Sequence, residues 1–151
     1  SYKELLKFAS LNFEETFLVS GNHEYDSHKT FEEVDDEISN ICDGLFNVHF
    51  LNANSVQLGG YKILGTTLWT PRNIAAINNK GSTLTFNETI NKTINSAHQK
   101  QVEWLESNIK GYSDTPKIVL THHPPSYKMC TGKFENSPTK SLFYTFWNLQ
   151  D

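Results

Sequence analysis

Apolar residues recur along this chain at two spacings, and the spacing assigns an element to most of them. Tyr2, Leu5, Leu6 and Ala9 share a face at helical spacing, and Phe31, Val34, Ile38 and Ile41 repeat the pattern. Phe17, Leu18 and Val19 form a short apolar run that reads as a buried strand, and Lys117, Ile118, Val119 and Leu120 read as a second. Residues 46–51 and 55–58 read as further strands, and Gly59 with Gly60 predicts a two-residue turn into a strand over 61–64. Ile90, Ile94, Ala97, Val102, Leu105 and Ile109 predict the longest helix, stopped by Gly111. Leu142, Phe143, Phe146 and Trp147 predict a last amphipathic helix. The Asn-rich stretch 73–95, with Asn78, Asn79, Lys80, Gly81 and Ser82 at its centre, reads as a long polar surface loop. Buried strands alternating with helices predict an α/β fold.

Length and composition narrow the classes. At 151 residues the chain holds one domain with a real core, taken as residues 1–151. It is 37% hydrophobic and 20% charged, with mean hydropathy of −0.50, the balance of a globular protein. The net charge is −4, and Arg72 is the one arginine among 13 basic residues. That argues against a groove tracking a nucleic-acid backbone, where Arg and Lys cluster. No apolar run approaches the ~20 residues that span a bilayer. Lys3, Glu4 and Lys7 interrupt the first ten residues, which therefore do not read as a signal peptide. Cys42 and Cys130 do not make a disulfide framework and read as free thiols in a reducing cytoplasm.

Two strand ends carry the chemistry. In open α/β sheets ligands sit where the carboxyl ends of strands open into loops. The first end reads Ser20, Gly21, Asn22, His23, Glu24. A Gly straight after an apolar strand lets the backbone turn sharply and approach a ligand. Asn22 offers an amide oxygen suited to divalent ions; His23 offers either a ligand nitrogen or a proton donor. Glu24 is placed to orient its neighbours. On those residues alone, an Asx-type turn with an exposed His23 is the favoured reading. The second end reads Thr121, His122, His123, Pro124, Pro125. The prolines stop the strand, and consecutive residues leaving a strand point in opposite directions. One of the two histidines therefore faces a given metal. His122, nearest the strand end, is that candidate, with His123 in a supporting or substrate-side place.

Taken together, Val19 to Glu24 and Val119 to Pro125 resemble two motif blocks of the calcineurin-like metallophosphoesterases. Residues 63–70 (Ile-Leu-Gly-Thr-Thr-Leu-Trp-Thr) are similar to a strand of one bacterial-type branch of that superfamily, and a helix reaching Trp104 and Leu105 follows, as in that branch. The resemblance runs in order over residues 13–127. It implies a partial αββα sandwich, two packed sheets flanked by helices. It also implies two divalent metal ions (Mn, Fe or Zn) that activate a hydroxide to attack a phosphate mono- or diester in line. By the same resemblance Asn22 and His122 are metal ligands, and His23 protonates the leaving group or stabilises the charged transition state. Glu24 stands where the family has an acidic residue supporting the ligands, and the partner implied is a phosphorylated substrate.

The family also carries an Asp-x-His and a Gly-Asp-x-x-Asp/Asn block before the Gly-Asn-His segment, and a Gly-His-x-His block after the second histidine segment. The 20 residues before Gly21 contain neither Asp nor His, and no Gly-His-x-His follows His122. Asp26, Ser27 and His28 have the spelling of the first block but follow Asn22, and read as a loop coincidence. The expectation is therefore a domain incomplete at both ends, inactive alone, with an open sheet edge inviting self-association. The rival is a catalytically dead calcineurin-like domain acting as a protein-binding module. A Ser nucleophile elbow and a phosphate-cradling Gly-x-x-x-x-Gly-Lys-Ser/Thr loop are both absent from the sequence.

Other residues receive plainer readings. Trp69, Trp104 and Trp147 read as core or rim, with Trp69 the one placed to line an active-site mouth. Arg72 meets either a substrate phosphate or a surface carboxylate. Asp35, Asp36 and Glu37 read as a solvated helix face. The two glycosylation spellings beginning at Asn87 and Asn91 count only in a secreted protein.

Overall fold

The computed structural model describes residues 2–72, 88–110, 114–126 and 129. The chain divides into two compact units, residues 1–67 with 112–122 and residues 68–111 with 123–151. The expectations for Gly111, Cys130 and the helix over 142–147 lie outside the described residues.

The first unit holds helices α1 (Tyr2–Asn12) and α2 (Phe31–Asp43) and strands β1 (Thr16–Leu18), β2 (Val48–Phe50), β3 (Asn54–Leu58), β4 (Tyr61–Thr66) and β5 (Lys117–Thr121). Its architecture is α/β with two sheets. In one, β1 and β2 run parallel, with Phe17 opposite His49. In the other, β4 lies between antiparallel β3 and parallel β5, with Thr66 opposite Thr121. α2 is the crossover that parallel β1 and β2 require. Its start is written in the sequence: Thr30 Oγ1 accepts the Glu33 N–H at 3.2 Å and Glu33 Oε2 accepts the Thr30 N–H at 2.7 Å. The Gly59–Gly60 turn forms as expected, with Leu58 opposite Tyr61.

Leu6 of α1, Val34, Ile38 and Cys42 of α2, and Val48 of β2 make one buried cluster. Periodicity assigned α1 the right helix, but of its expected face Leu6 alone is fully buried, and Leu5 is 61% exposed. Asn47, 2% exposed, closes the end of α1. Its Nδ2 faces the carbonyls of Ser10, Phe13 and Glu14 at 3.0, 2.7 and 3.2 Å, and its Oδ1 accepts from Ser10 Oγ at 2.6 Å. Carbonyls that a helix end leaves without partners are thereby satisfied. This inward turn explains why the strand expected over 46–51 is confined to 48–50, with Phe46 left 92% exposed.

The strands expected to be buried are less so. β1 is half-buried throughout, and β5 leaves Ile118 and Val119 43% and 38% exposed. The buried strand is β4, where Ile63, Leu64 and Thr66 are at most 5% exposed. Leu51, fully buried, links the two sheets: its N–H donates to the Leu18 carbonyl at 2.7 Å, and its side chain lies against Gly65. A Cβ on Gly65 would fall 2.3 Å from Leu51 Cβ, so a larger residue there forces the sheets apart.

The second unit carries α3 (Glu88–Ile109). Its first eight residues are helical where the Asn-rich loop was expected, and residues 73–87 of that loop lie outside the described residues. Asn91 is 2% exposed, on the face that also buries Ile94 and Leu105, so its glycosylation spelling is closed in the folded chain.

Gly65→Ala is expected to destabilise the chain by about 1–3 kcal/mol or more through overpacking. Urea unfolding measures it, and a change under about 0.5 kcal/mol would show that Leu51 yields freely.

Candidate active site

β1 ends at Leu18, and three residues later the chain swings at Gly21 into the one-turn helix Asn22–Tyr25. Glu24 makes that turn: its Oε2 accepts the Gly21 N–H at 2.7 Å. The Asp26 N–H then closes onto the His23 carbonyl at 3.3 Å. The acidic residue of the motif is thus engaged with the backbone, locking the loop that presents Asn22.

β5, held in register on β4, delivers His122 directly after Thr121. The imidazole lies on the Gly21 backbone so closely that a Cβ there would be 2.6 Å from His122 Cε1 and 2.9 Å from Nδ1. Real Cβ atoms do not approach that near, so glycine is required where the two strand ends meet. The close approach sets His122 Nε2 3.0 Å from Asn22 Oδ1. An amide oxygen only accepts, so the Nε2–H donates. Residues one hundred positions apart are brought into contact, with His122 exposed and Asn22 half-buried.

His23 stands outside that pair. Its Nδ1–H donates to Asp26 Oδ2 at 2.6 Å, and the two side chains are 83% and 66% exposed. With Nδ1 engaged, Nε2 is the ring nitrogen that this contact does not use. Asp26 is thus tied to His23 within a single turn, a pairing that the three-residue spacing could have signalled.

The chain matches the model of the calcineurin-like phosphoesterase family over residues 1–146. It belongs to the calcineurin-like phosphoesterases. It is also 26% identical, over 150 aligned positions, to an uncharacterised protein of Acanthamoeba polyphaga mimivirus. That match covers 84% of this chain and 51% of the viral protein, so the chain spans about half the length of the relative it matches. No solved structure matches. Among the described residues no helix is long and apolar enough to cross a membrane.

Members of this family typically bind two divalent metals, and the donor pair can be tested against that. Two neighbouring ligands at right angles on one ion, with bonds of about 2.1 Å, lie roughly 3 Å apart. Asn22 Oδ1 and His122 Nε2 have that spacing. Oxygen and imidazole donors together suit Mn, Fe or Zn. The pair fits one corner of a metal site, where Asn22 Oδ1 and His122 Nε2 would be the donors. Among the described residues, no group of three or more His, Cys, Asp or Glu converges as a ligand cluster.

The remaining expected residues lie elsewhere. His123 is 6% exposed, with its ring centroid 5.8 Å from that of Trp69. Trp69 is itself 4% exposed, a core residue of the second unit. α3 explains the burial. Gln101 Oε1 accepts the Trp69 N–H at 3.0 Å, and His98 Nδ1–H donates to the Trp69 carbonyl at 2.5 Å. Asn95 brackets Arg72 in the same way, accepting its N–H at 2.6 Å and donating to its carbonyl at 3.1 Å. Leu68, fully buried, adopts φ +53° in this segment, an uncommon conformation for a bulky residue. Burial pulls the His98 pKa down, partly opposed by its carbonyl partner, and burial likewise lowers that of Arg72. A cavity of about 350 Å³ also opens beside Glu24, between Tyr2, Lys29 and the apolar face of α2 at Val34, Ile38 and Ile41. Burial there, with Glu24 nearby, pushes the Tyr2 phenol up to about 12.

Gly21→Ala is expected to drive the His122 ring away and separate the donor pair. Mn²⁺ affinity, measured by calorimetry, should fall at least ~10-fold, the range seen when ligand positioning is lost. Unchanged affinity would mean the pair does not bind metal.

Proposed function

We propose that Asn22 and His122 form one corner of a dinuclear metal centre that hydrolyses a phosphate mono- or diester, with His23 as general acid. The observation that carries this reading is the 3.0 Å spacing of Asn22 Oδ1 and His122 Nε2 at the meeting of two strand ends. Family membership supplies the reaction class.

When bound, the metals supply a hydroxide nucleophile and neutralise charge on the phosphate. The chain's own residues do the rest. Gly21 and Glu24 fix the loop that presents the Asn22 oxygen. Asp26 engages His23 Nδ1, so that Nε2 is the nitrogen that gives a proton to the departing oxygen. The other ligands, a bridging carboxylate among them, come from outside the described residues. With two donors the chain alone holds metal far more weakly than a complete four-ligand site, whose binding reaches about 10–16 kcal/mol, and does not turn over. A reducing, cytoplasmic setting belongs to the same proposal, supported by the buried free thiol of Cys42. So does self-association through β1, which among the described residues pairs with β2 alone.

In a polypeptide carrying the whole centre, His23→Ala should lower kcat on bis-p-nitrophenyl phosphate by about 10²–10⁴-fold with metal content unchanged. Asn22→Ala should instead lower metal content, read by elemental analysis after loading and desalting. Equal metal loss in both variants would defeat the role given to His23. Full metal retention by Asn22→Ala would defeat the ligand assignment, and a wild type without metal or turnover would leave a binding module.

A further inference from the structure

Ser20 and Tyr25 stand immediately before and after the segment that carries Gly21, Asn22, His23 and Glu24, and their hydroxyls meet at 2.8 Å. This side-chain bridge closes the loop upon itself. Both ends are then tied to other elements. The Tyr25 hydroxyl donates to Asp35 Oδ1 on α2 at 2.6 Å, and Asp35 Oδ2 accepts from Asn52 Nδ2 at 2.8 Å. Ser20 Oγ lies 3.0 Å from Thr67 Oγ1, just past the end of β4.

The directions of these bonds follow from proton counting. A phenol has one hydrogen, and that of Tyr25 goes to the Asp35 carboxylate, which can only accept. Ser20 at 2.8 Å must therefore donate to the Tyr25 oxygen. The Thr67 hydroxyl hydrogen is left to face the Ser20 and Tyr25 oxygens. The Ser20 and Tyr25 hydroxyls thus both run toward Asp35. Ser20 is 1% exposed and Thr67 fully buried, so water does not replace a lost link cheaply. The Tyr25 ring is fixed as well, packed on Phe31 with centroids 4.5 Å apart. Burial and the Asp35 bond both push the Tyr25 phenol up, keeping it a neutral donor. Asp35 is thus no part of a solvated helix face.

We infer that Tyr25 is a positioning residue for the metal centre: by bridging Ser20 to Asp35 it holds the loop so that Gly21 receives the His122 ring and Asn22 meets Nε2. The ligand role of the pair rests on the function proposed above; the positioning itself does not need it. Tyr25 touches neither metal nor substrate and acts through the loop. Removing its hydroxyl frees the Ser20 side of the bridge and lets Asn22 drift from His122, while the ring remains packed on Phe31.

The test is Tyr25→Phe in the intact chain. A fall in melting temperature is common to any structural role and decides nothing by itself. The deciding readout is the proton cross-relaxation peak between Gly21 Hα and His122 Hε1, strong in the wild type because the ring rests on that glycine. Recorded without metal and well below the melting temperature of the variant, it should weaken severalfold in Tyr25→Phe. Mn²⁺ affinity should fall about 10–100-fold. An undiminished cross-peak in a folded Tyr25→Phe would overturn the inference, reducing Tyr25 to a stabilising residue. A weakened cross-peak with no Mn²⁺ binding even by wild type would uphold the positioning and overturn the metal reading instead. Ser20→Ala, which cuts the same bridge from its other end, gives the same decision if Tyr25→Phe fails to fold.

Discussion

The candidate centre depends on a single close approach, the His122 imidazole resting on the Gly21 backbone. With any side chain at residue 21 the ring has no place, because the first added atom would fall 2.6 Å from it. That contact joins the end of β1 to the end of β5, which belong to different sheets. A side-chain pair built across two sheets is only as exact as the packing between them. The same principle appears at Leu51, whose side chain occupies the space that a Cβ on Gly65 would need. Two glycines, one under a ring and one under a leucine, set how closely the sheets and their loops come together.

Around that contact the polar groups divide into those that hold and those that act. Glu24 holds Gly21, Tyr25 and Ser20 hold the loop from its two ends, and Asp26 engages His23. Beside them stand an amide oxygen, the His122 Nε2 bonded to it, and the exposed ring of His23. Under the proposed function these would be two metal donors and a proton donor. The holding groups are largely buried or half-buried, while His122 and His23 are exposed.

The elements were legible where periodicity was strong. α1, α2, α3 and the β3–β4 hairpin fall where spacing puts them, and the two strand ends are readable because Gly and Pro punctuate them. Side-chain partnerships were not. Asp35 sits in a run of three acids, which reads as solvated, and nothing local shows that a tyrosine ten residues earlier turns in to meet it. Asn95, His98 and Gln101 look like the polar face of an amphipathic helix, yet they grip the backbone of residues 69–72 and bury Trp69. Asn47 reads as part of a strand and instead plugs a helix end. In each case a polar residue turns inward to satisfy backbone or a distant carboxylate, a choice fixed by tertiary neighbours. Strand burial was overestimated for a related reason: among the described residues, β1 and β5 are apolar but lie at sheet edges, and β4 alone has strands on both sides.

The central claim is that Asn22 and His122 receive one metal ion between them. Its most direct test is a titration of the isotope-labelled chain with Mn²⁺, followed by paramagnetic broadening of side-chain signals. The account predicts that the Asn22 amide and the His122 ring protons broaden together at the first additions, ahead of exposed His23 and of His49. Broadening that begins at His23 or His49 while Asn22 stays sharp would contradict it.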